Sequence, residues 1–270
     1  MPLVIGILLI IAGAVLGTIF FRRHGKRSTE MRYMQTSTIQ EASEVIDSMA
    51  GVDLSYRHYV ELKGVIQPEQ PVTAPFSERP VAYYQNRLSS VRQDSHVITD
   101  DKGNRRTVTN KVESLLSNES SPTEVYITDL SGPTKVYLDL NSFGSDLDLF
   151  PSCDRFEPEN SPWMHSYQMR VNWMFPRSGS HFLGYRLQEE IFAVNQPLYV
   201  LGEMYKMGDR YYIGRSVRDK KPSLVSYKSE DEIINNTKRY RILSAVIGAL
   251  GIVAGAAAIA YYFLAYLPAA

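Results

Sequence analysis

The chain has 270 residues, with 29 basic and 29 acidic side chains and a formal net charge of +0. That length suits one sizeable domain with attachments, and the balanced charge gives no reason to expect nucleic-acid binding. The single cysteine, Cys153, excludes an intrachain disulfide and a zinc site built from several thiolates.

The first element is an uncharged segment of 19 residues from Leu3 to Phe21. About 20 apolar residues are needed to cross a bilayer core of roughly 30 Å. A cleaved signal peptide would also be apolar, but it needs a basic region in front, and only Met1 and Pro2 precede this segment. We therefore predict a transmembrane helix over 1–21.

A basic linker is expected over 22–37. Its positive charge lies next to the predicted span, where each basic residue adds about 1 kcal/mol of attraction to an anionic leaflet. We expect contacts with membrane lipid from Arg22, Arg23, Lys26 and Arg27.

The next element is a short amphipathic helix, assigned to 38–51. Thr38 and Glu41 have the spacing of a capping box, in which each side chain bonds the backbone amide of the other residue. Apolar residues follow at helical spacing through Met49, and Gly51 suits the helix end. We predict that the helix occupies 38–49 and packs onto the following domain.

A β-rich domain is predicted over 52–228, because short runs of Val, Ile, Tyr and Thr alternate there with turn residues. The predicted strands are 58–63, 81–85, 124–128, 135–139, 197–201 and 210–213. Hairpin turns are expected at 129–133 and 206–209. We expect residues 95–121 to form a long exposed hairpin and residues 142–162 to form an acidic loop. The tyrosines are interpreted as core or sheet-face residues.

The last element begins at Ser229, which has a second capping-box spacing with Glu232. We predict one continuous helix from about 230 through 267, with a connecting part over 229–241 and a transmembrane part over 242–267. Each predicted span contains two glycines at four-residue spacing, which let helix backbones approach closely in lipid. These pairs are Gly13 with Gly17 and Gly251 with Gly255. Ordinary glycine usage in membrane helices is the alternative.

Basic residues also precede the second span, at Lys238, Arg239 and Arg241, and we expect them to contact lipid too. Both spans therefore carry their positive charge on the side of the central domain. The positive-inside rule then predicts a cytoplasmic central domain with both termini outside. The predicted fold is a multi-pass integral membrane protein, with two transmembrane helices flanking an α+β, predominantly β, cytoplasmic domain.

No catalytic motif is found, because the chain lacks the H-E-x-x-H, P-loop, G-x-G-x-x-G and G-x-S-x-G patterns. The five histidines lack metal-ligand spacing, so we expect no catalytic residue, no metal and no cofactor. Cys153 is disfavoured as a nucleophile because Asp146, Asp148 and Asp154 would raise its pKa. A cation site at Asp146 and Asp148 is the alternative to a solvated acidic loop.

The stretch 184–206 carries two adjacent carboxylates, Glu189 and Glu190, before a strand-like run that ends at Gly202 and Glu203. Adjacent side chains of a strand point to opposite faces, so joint catalysis by the pair is disfavoured. We interpret both carboxylates as groups that cap or pair across a sheet.

Several segments between 58 and 240 together resemble the GIDE, or beside-a-membrane, domain of the mitochondrial and chloroplast outer-membrane RING-type E3 ubiquitin ligases. The matching pieces are 60–64, 72–77, 81–84, 129–139 and 184–203. The resemblance implies structural roles for Gly64, Pro75, Tyr84, Asp129, Gly132, Glu190, Gly202 and Glu203.

Those ligases carry a RING after the second span, and a RING folds around two zinc ions that each take four Cys or His ligands. This chain has one cysteine. We therefore expect it to lack a RING and to transfer no ubiquitin by itself.

Two functions remain open. The first is a non-enzymatic membrane protein whose central domain senses or docks through protein or lipid contacts, with a protein partner or as a homo-oligomer. The second is a component of an E3 ubiquitin or ubiquitin-like transfer system in organelle or membrane organisation, with a RING or ubiquitin-like partner in another chain. A hydrolase with an unfamiliar site has no motif behind it.

Overall fold

A computed structural model describes residues 4, 7–15, 34–53, 55–99, 103–172, 181–217 and 221–266. The described part contains two β-sheets and several helices, and strands dominate its central region. The predicted α+β, predominantly β, class is confirmed for this domain.

Helices stand at both ends of the described chain. Residues 7–15 lie in helix α1. The others are α2 (Ile39–Ala50), α3 (Leu140–Phe143), α4 (Pro162–Val171) and α5 (Glu230–Tyr266). Helix α5 joins the predicted connecting and transmembrane parts without a break, as expected.

The capping box of α2 is confirmed. The Glu41 amide donates to Thr38 Oγ1 (3.2 Å), and the Thr38 amide donates to the Glu41 carboxylate (2.9 Å). Ile39, Ala42 and Ile46 of α2 are buried against the β domain. The helix therefore packs as the spacing of its apolar residues predicts.

The larger sheet forms a closed barrel with extra strands at its edges. Its strands are β1 (Thr36–Ser37), β2 (His58–Pro68), β6 (Val125–Thr128), β7 (Val136–Leu138), β8 (Leu147–Asp148), β11 (Pro197–Met207), β12 (Arg210–Gly214) and β13 (Leu224–Ser226). They lie in the order β1-β2-β6-β7-β12-β11-β13-β8. Because β2 also pairs with β11, strands β2, β6, β7, β12 and β11 close on themselves.

Alternate residues of the barrel strands build its core. Leu62, Ile127, Val200 and Ile213 are fully buried in one cluster, which also includes the apolar face of α2. The residues between them therefore face outward from the barrel wall.

The second sheet carries the long hairpin. Its strands are β3 (Val72–Thr73), β4 (Pro80–Thr99), β5 (Arg105–Ser120), β9 (Phe150–Pro158) and β10 (Phe182–Ala193). Their order is β3-β4-β10-β9, and β5 also pairs with β4. Pairing with β10 stops at Arg92, and β4 is exposed from Asp94 to Thr99. The predicted exposed hairpin is thus confirmed, and it is the distal part of a longer hairpin formed by β4 and β5.

The prediction of an acidic loop over 142–162 is wrong. Strands β8 and β9 occupy much of it, and α4 begins at Pro162. Strand β9 pairs with β10 from Phe150 to Pro158. The prolines and polar residues of β9 favoured a loop in the sequence, because such residues are rare in central strands. They are tolerated here because β9 lies at a sheet edge.

Among the described residues, one helix is long and apolar enough to cross a membrane, over Glu230–Tyr261. The first predicted span falls largely outside the described residues, which include only positions 4 and 7–15 of it. Of the two predicted flanking spans, the structure therefore supports the second, which lies in α5.

Candidate binding site

Four tyrosines form a continuous row across the outer face of the barrel, here called the tyrosine ladder: Tyr126, Tyr137, Tyr212 and Tyr205. Strand pairing sets each one opposite the next. Successive ring centroids are 5.8, 5.5 and 5.8 Å apart. Aromatic pairs attract each other at such distances, so the ladder ties β6, β7, β12 and β11 together.

The local sequence explains why these tyrosines face outward. Tyr126 stands between Val125 and Ile127, and all three residues belong to one strand. Because neighbouring side chains of a strand alternate, the two aliphatic residues enter the core and the tyrosine lies on the opposite face. The same alternation recurs at Tyr137 in β7.

Three basic side chains cover rings of the tyrosine ladder. Lys135, Arg210 and Arg57 lie 4.0, 4.8 and 4.2 Å from the centroids of the first, second and fourth rings. A cation within about 6 Å of a ring centroid is attracted by the ring electrons. The outer face of the ladder therefore already attracts cations of this chain.

Carboxylates hold two of these cations. Arg210 lies 3.0 Å from Glu124, and Lys135 lies 3.7 Å from Glu69. The Tyr137 hydroxyl donates to Glu69, and this hydrogen bond together with burial raises the pKa of Tyr137 to about 12. Tyr137 therefore remains a protonated donor at neutral pH.

A cleft of about 500 Å³ opens beside the tyrosine ladder. Its lining residues are Tyr83, 120–125, 137–141, Tyr205, Met207 and Tyr212. The lining thus combines aromatic rings of the ladder with polar groups from two connecting segments. It carries two carboxylates, Glu124 and Asp139, and the described lining has no lysine or arginine.

Two polar groups of this cleft differ in what they lack: the Ser121 hydroxyl has no hydrogen-bond partner and Asp139 has no ion-pair partner among the described residues. Ser121 is 7% exposed, and its hydroxyl has no hydrogen-bond partner in the described part of the chain. Asp139 accepts a hydrogen bond from the Ser142 amide at the start of α3 (3.4 Å). None of the ion pairs among described residues involves Asp139. Burial raises the pKa of Tyr205, and the Asp139 charge adds to that rise.

The start of α5 is bonded to the barrel by a network here called the anchor junction: Thr36, Glu61, Lys63, Tyr199 and Glu230. Glu61 is 1% exposed and accepts hydrogen bonds from Thr36 (2.6 Å) and Tyr199 (2.7 Å). Lys63 lies 2.8 Å from Glu230 in the first turn of α5 and 3.5 Å from Glu61. The network fixes both β1 and α5 to strand β2.

Gly64 and Gly202, from the predicted structural set, lie where barrel strands approach closely. A Cβ on Gly64 would be 2.8 Å from the Thr128 carbonyl oxygen, and a Cβ on Gly202 would be 2.4 Å from the Gly214 carbonyl oxygen. Both contacts are with backbone, so a side chain at either position would force strands apart.

Asp129 and Gly132 occupy the turn between β6 and β7 and contact α2. Asp129 accepts hydrogen bonds from the Ile39 amide (2.8 Å) and the Ser131 amide (2.9 Å). Burial acts to raise the pKa of Asp129, but these hydrogen bonds outweigh it and lower the pKa. A Cβ on Gly132 would lie 3.1 Å from the side-chain oxygen of Gln40.

The two adjacent carboxylates of β10 have opposite environments. Glu189 is 1% exposed and accepts hydrogen bonds from the amides of Phe76 (2.7 Å) and Ser77 (3.1 Å) and from the Ser152 hydroxyl (2.8 Å). Glu190 is exposed. Strand alternation turns only Glu189 inward, and the structural role that the resemblance implies for Glu190 stays a prediction.

The other predicted structural residues also lie outside the cleft. Pro75 is half-buried in the turn between β3 and β4. Tyr84 is half-buried on β4, and burial raises its pKa. Glu203 is 4% exposed on β11 and accepts a hydrogen bond from the Ser216 hydroxyl (2.7 Å).

Cys153 lies on β9, directly opposite Glu189. Burial raises the pKa of its thiol, and the charges of Glu189, Asp154 and Glu157 add to the rise while Arg155 lowers it. This environment disfavours the thiolate that a nucleophile needs.

The acidic pair considered as a cation site is held by ion pairs. Asp148 lies 2.9 Å from Lys228, and Asp146 lies 3.6 Å from Arg215. The described residues contain no group of three or more His, Cys, Asp or Glu side chains that could hold a metal ion.

Some residues predicted to contact lipid or pack in the membrane lie outside the described part: Gly17, Arg22, Arg23, Lys26 and Arg27. Lys238 and Arg239 are exposed on α5, and Arg241 lies on the same helix.

One glycine of each predicted pair lies where α1 meets α5. A Cβ on Gly13 would lie 3.4 Å from the Gly251 Cα, and Gly255 is also buried on α5. Packing of these helices in lipid stays a prediction.

Comparison with known proteins gives one family. A family model described as GIDE, E3 Ubiquitin ligase, matches residues 95–259, which is more than half of the chain. The matched region contains the whole tyrosine ladder and most of α5. No curated protein and no solved structure matches the chain.

Proposed function

Because the chain belongs to the GIDE family, we propose that it is a membrane-anchored docking module that acts through contacts with protein or lipid. The observation that carries this proposal is α5, one uninterrupted helix from Glu230 to Tyr266. Its first turn is bonded to the barrel through the anchor junction, and its later part is long and apolar enough to cross a membrane. The cleft is thereby held at a fixed position relative to the apolar segment.

The anchor junction supports a rigid connection. Ile233 packs with Tyr199, Leu201 and Leu224 on the outer face of the barrel, one turn after Glu230. Fully burying an apolar side chain of this size contributes about 1.5–3 kcal/mol. This packing supports a rigid connection between the helix and the barrel.

We further propose that the central domain is cytoplasmic, with both termini on the other side of the membrane. Two features support this topology: basic residues flank both apolar segments on the domain side, and α1 lies against α5 at Gly13 and Gly251. Lipid contacts by the basic residues belong to the same proposal.

Cysteine labelling of intact cells tests this topology. In a Cys153→Ser background, a cysteine at position 28 (Ser28→Cys) should be protected from an impermeant thiol reagent. A cysteine near the other end (Ala269→Cys) should be labelled. The reverse pattern would mean that the domain lies outside and that the charge argument fails.

Site-specific photocrosslinking tests docking. Met207 lines the cleft and is 61% exposed, whereas Val52 follows α2 and is 82% exposed. A photoreactive residue at Met207 in the full-length membrane protein should give a discrete adduct, and the same residue at Val52 should not. Equal adducts at both positions, or none at either, would argue against docking at the cleft.

A second candidate is a component of an E3 ubiquitin transfer system, and the description of the matched family favours it. The 270 residues contain one cysteine and five histidines, fewer than the eight ligands of a RING. In this alternative the RING would lie outside these residues, in a partner chain. The purified protein should then bind no stoichiometric zinc and build ubiquitin chains only when a RING partner is added. Chain formation by this polypeptide alone, abolished by Cys153→Ser, would contradict the non-enzymatic proposal.

A further inference from the structure

We propose that the cleft beside the tyrosine ladder binds an arginine side chain presented by a peptide segment of a partner protein. This inference rests on the proposed docking function and names the chemistry of the partner.

Charge complementarity predicts that the ligand is positively charged. The cleft is lined by Glu124 and Asp139, and the described lining contributes no basic side chain. Glu124 is already paired with Arg210 at 3.0 Å, whereas Asp139 takes part in none of the ion pairs between described residues. An incoming cation therefore meets a carboxylate that has no ion-pair partner among the described residues, in a partly enclosed, aromatic setting.

The chain itself contains a template for this contact. The Arg210 guanidinium lies 3.0 Å from Glu124 and 4.8 Å from the Tyr137 ring centroid, so it uses a carboxylate and an aromatic face together. Asp139 and Tyr205 both line the cleft, and the Asp139 charge adds to the raised pKa of that phenol. The Tyr205 ring already carries the Arg57 guanidinium at 4.2 Å, but Arg57 is not part of the cleft lining. The cleft thus offers a second carboxylate beside a second ring, and an external guanidinium would share that ring with Arg57.

An independent observation also points to a ligand that forms hydrogen bonds. Ser121 lines the cleft, is 7% exposed, and has a hydroxyl without a partner in the part of the chain described. Leaving such a buried group unpaired is unfavourable. The hydroxyl oxygen can accept a hydrogen bond, so a donor from the ligand would satisfy it.

These acceptors distinguish a guanidinium from a quaternary ammonium headgroup. The positive charge of choline is attracted to tyrosine rings, but choline has no N–H group that could donate a hydrogen bond to Ser121 or Asp139. Arginine has five N–H donors in a planar fork that fits a carboxylate and stacks on an aromatic ring. Its aliphatic stem matches the apolar part of the lining, which includes Leu138, Leu140 and Met207.

The cleft is separate from the anchor junction. Tyr199 belongs to the anchor junction and Tyr205 to the tyrosine ladder, six residues later on β11, which corresponds to about 20 Å along a strand. Occupation of the cleft therefore leaves the contacts between barrel and α5 in place.

The test uses full-length protein in lipid nanodiscs and the probe N-acetyl-arginine amide, with binding followed by saturation-transfer NMR. N-acetyl-citrulline amide is the neutral, isosteric control, and phosphocholine represents a lipid headgroup. We expect the arginine probe to bind at least tenfold more tightly than either. Equal binding of citrulline, or tighter binding of phosphocholine, would overturn the proposal.

Three variants locate the binding site. Asp139→Asn keeps an oxygen that can accept from Ser142 but removes the charge, and should weaken arginine binding about tenfold. Ser121→Ala should weaken it severalfold. Glu190→Gln removes an exposed carboxylate from the second sheet and should leave binding unchanged. An unaltered affinity in Asp139→Asn, with thermal melting like that of the parent, would overturn the proposal.

Arg57 gives a test of opposite sign. It covers the Tyr205 ring at 4.2 Å and competes with an external cation for that face. Arg57→Ala should therefore strengthen arginine binding about twofold to fivefold. Weaker binding by the Arg57→Ala protein would mean that Arg57 itself contacts the ligand. The proposal that the ligand is a cation would then be wrong.

The docking proposal can fail separately. If crosslinking at Met207 gives a partner adduct while the arginine probe does not bind, the partner chemistry is wrong but docking stands. If neither adduct nor probe binding is observed, both fail.

Discussion

Gly251 of α5 lies directly against Gly13 of α1: a Cβ on Gly251 would be 3.3 Å from the Gly13 Cα. A Cβ on Gly13 would in turn be 3.0 Å from the Gly248 carbonyl oxygen. Helices that meet through glycines bring their backbones into close contact, which favours association in lipid through packing. The two apolar ends of the chain, far apart in sequence, thus meet at one point.

Gly251→Leu should separate α1 from α5, because its side chain would occupy the space of the Gly13 backbone. We expect a lower melting temperature of the full-length protein in detergent. Ala256→Leu, at an exposed position of the same helix, should melt like the parent. Equal melting of both variants would mean that the glycine contact contributes nothing to stability.

Gly202→Ala should destabilise the barrel. The new methyl group would lie 2.4 Å from the Gly214 carbonyl oxygen, so two paired strands must shift. Overpacking of this kind costs about 1–3 kcal/mol. Thermal unfolding measures the loss, and Gly51→Ala is the control because nothing lies within 4 Å of its added Cβ. A Gly202→Ala protein as stable as the control would show that the strands can relax without cost.

Glu189→Gln and Glu190→Gln form a matched pair on one strand. Glu189→Gln replaces a carboxylate oxygen that accepts from Phe76 or Ser77 with an amide donor, so a buried backbone N–H loses its partner. We expect a loss of about 1–3 kcal/mol in denaturant unfolding. Glu190→Gln should change stability little, because Glu190 is exposed. Equal effects would contradict the division of roles described for the two residues.

Asp129 should contribute stability that depends on pH. Its folded pKa is lowered from 3.8, so the contribution is present above pH 3.8 and is lost as pH falls through the folded pKa. Asp129→Asn should therefore be less stable than the parent at pH 7, and the difference should shrink below pH 3.8. Urea unfolding at pH 7 and at pH 3 measures it. A stability difference of equal size at both pH values would mean that the charge of Asp129 does not stabilise the contact with α2.

The sequence predicted elements whose signals are local. The capping box at Thr38 needs only two side chains three residues apart, and β2 and β11 follow from short runs rich in Val, Ile, Tyr and Thr that are bounded by turn residues. The absence of a helix breaker was enough to predict α5 as one helix.

The missed elements include β9 and α4, whose signals conflict or are weak. The prolines and acidic residues of β9 favour a loop, and only its place at a sheet edge explains why they are tolerated. Helix α4 begins at Ser161 and Pro162, a standard helix start, but it lacks a clear apolar stripe.

The tyrosine ladder could not be predicted as a site. The tyrosines were interpreted from the sequence only as core or sheet-face residues, and the contact of Tyr137 with Tyr212 depends on the parallel pairing of β7 with β12. Register between strands distant in sequence has no local signal.

Under the proposed membrane anchoring, the unbroken helix α5 would make the barrel sensitive to bilayer thickness. At about 1.5 Å per residue, residues 242–266 form a rod of roughly 37 Å, longer than a hydrocarbon core of about 30 Å. Such a rod would tilt, and it would tilt more in a thinner bilayer. The Lys63–Glu230 ion pair joins the rod to the barrel, so a change of tilt would rotate the barrel with it. The thickness of the membrane would thereby set the angle at which the domain faces the surrounding solution.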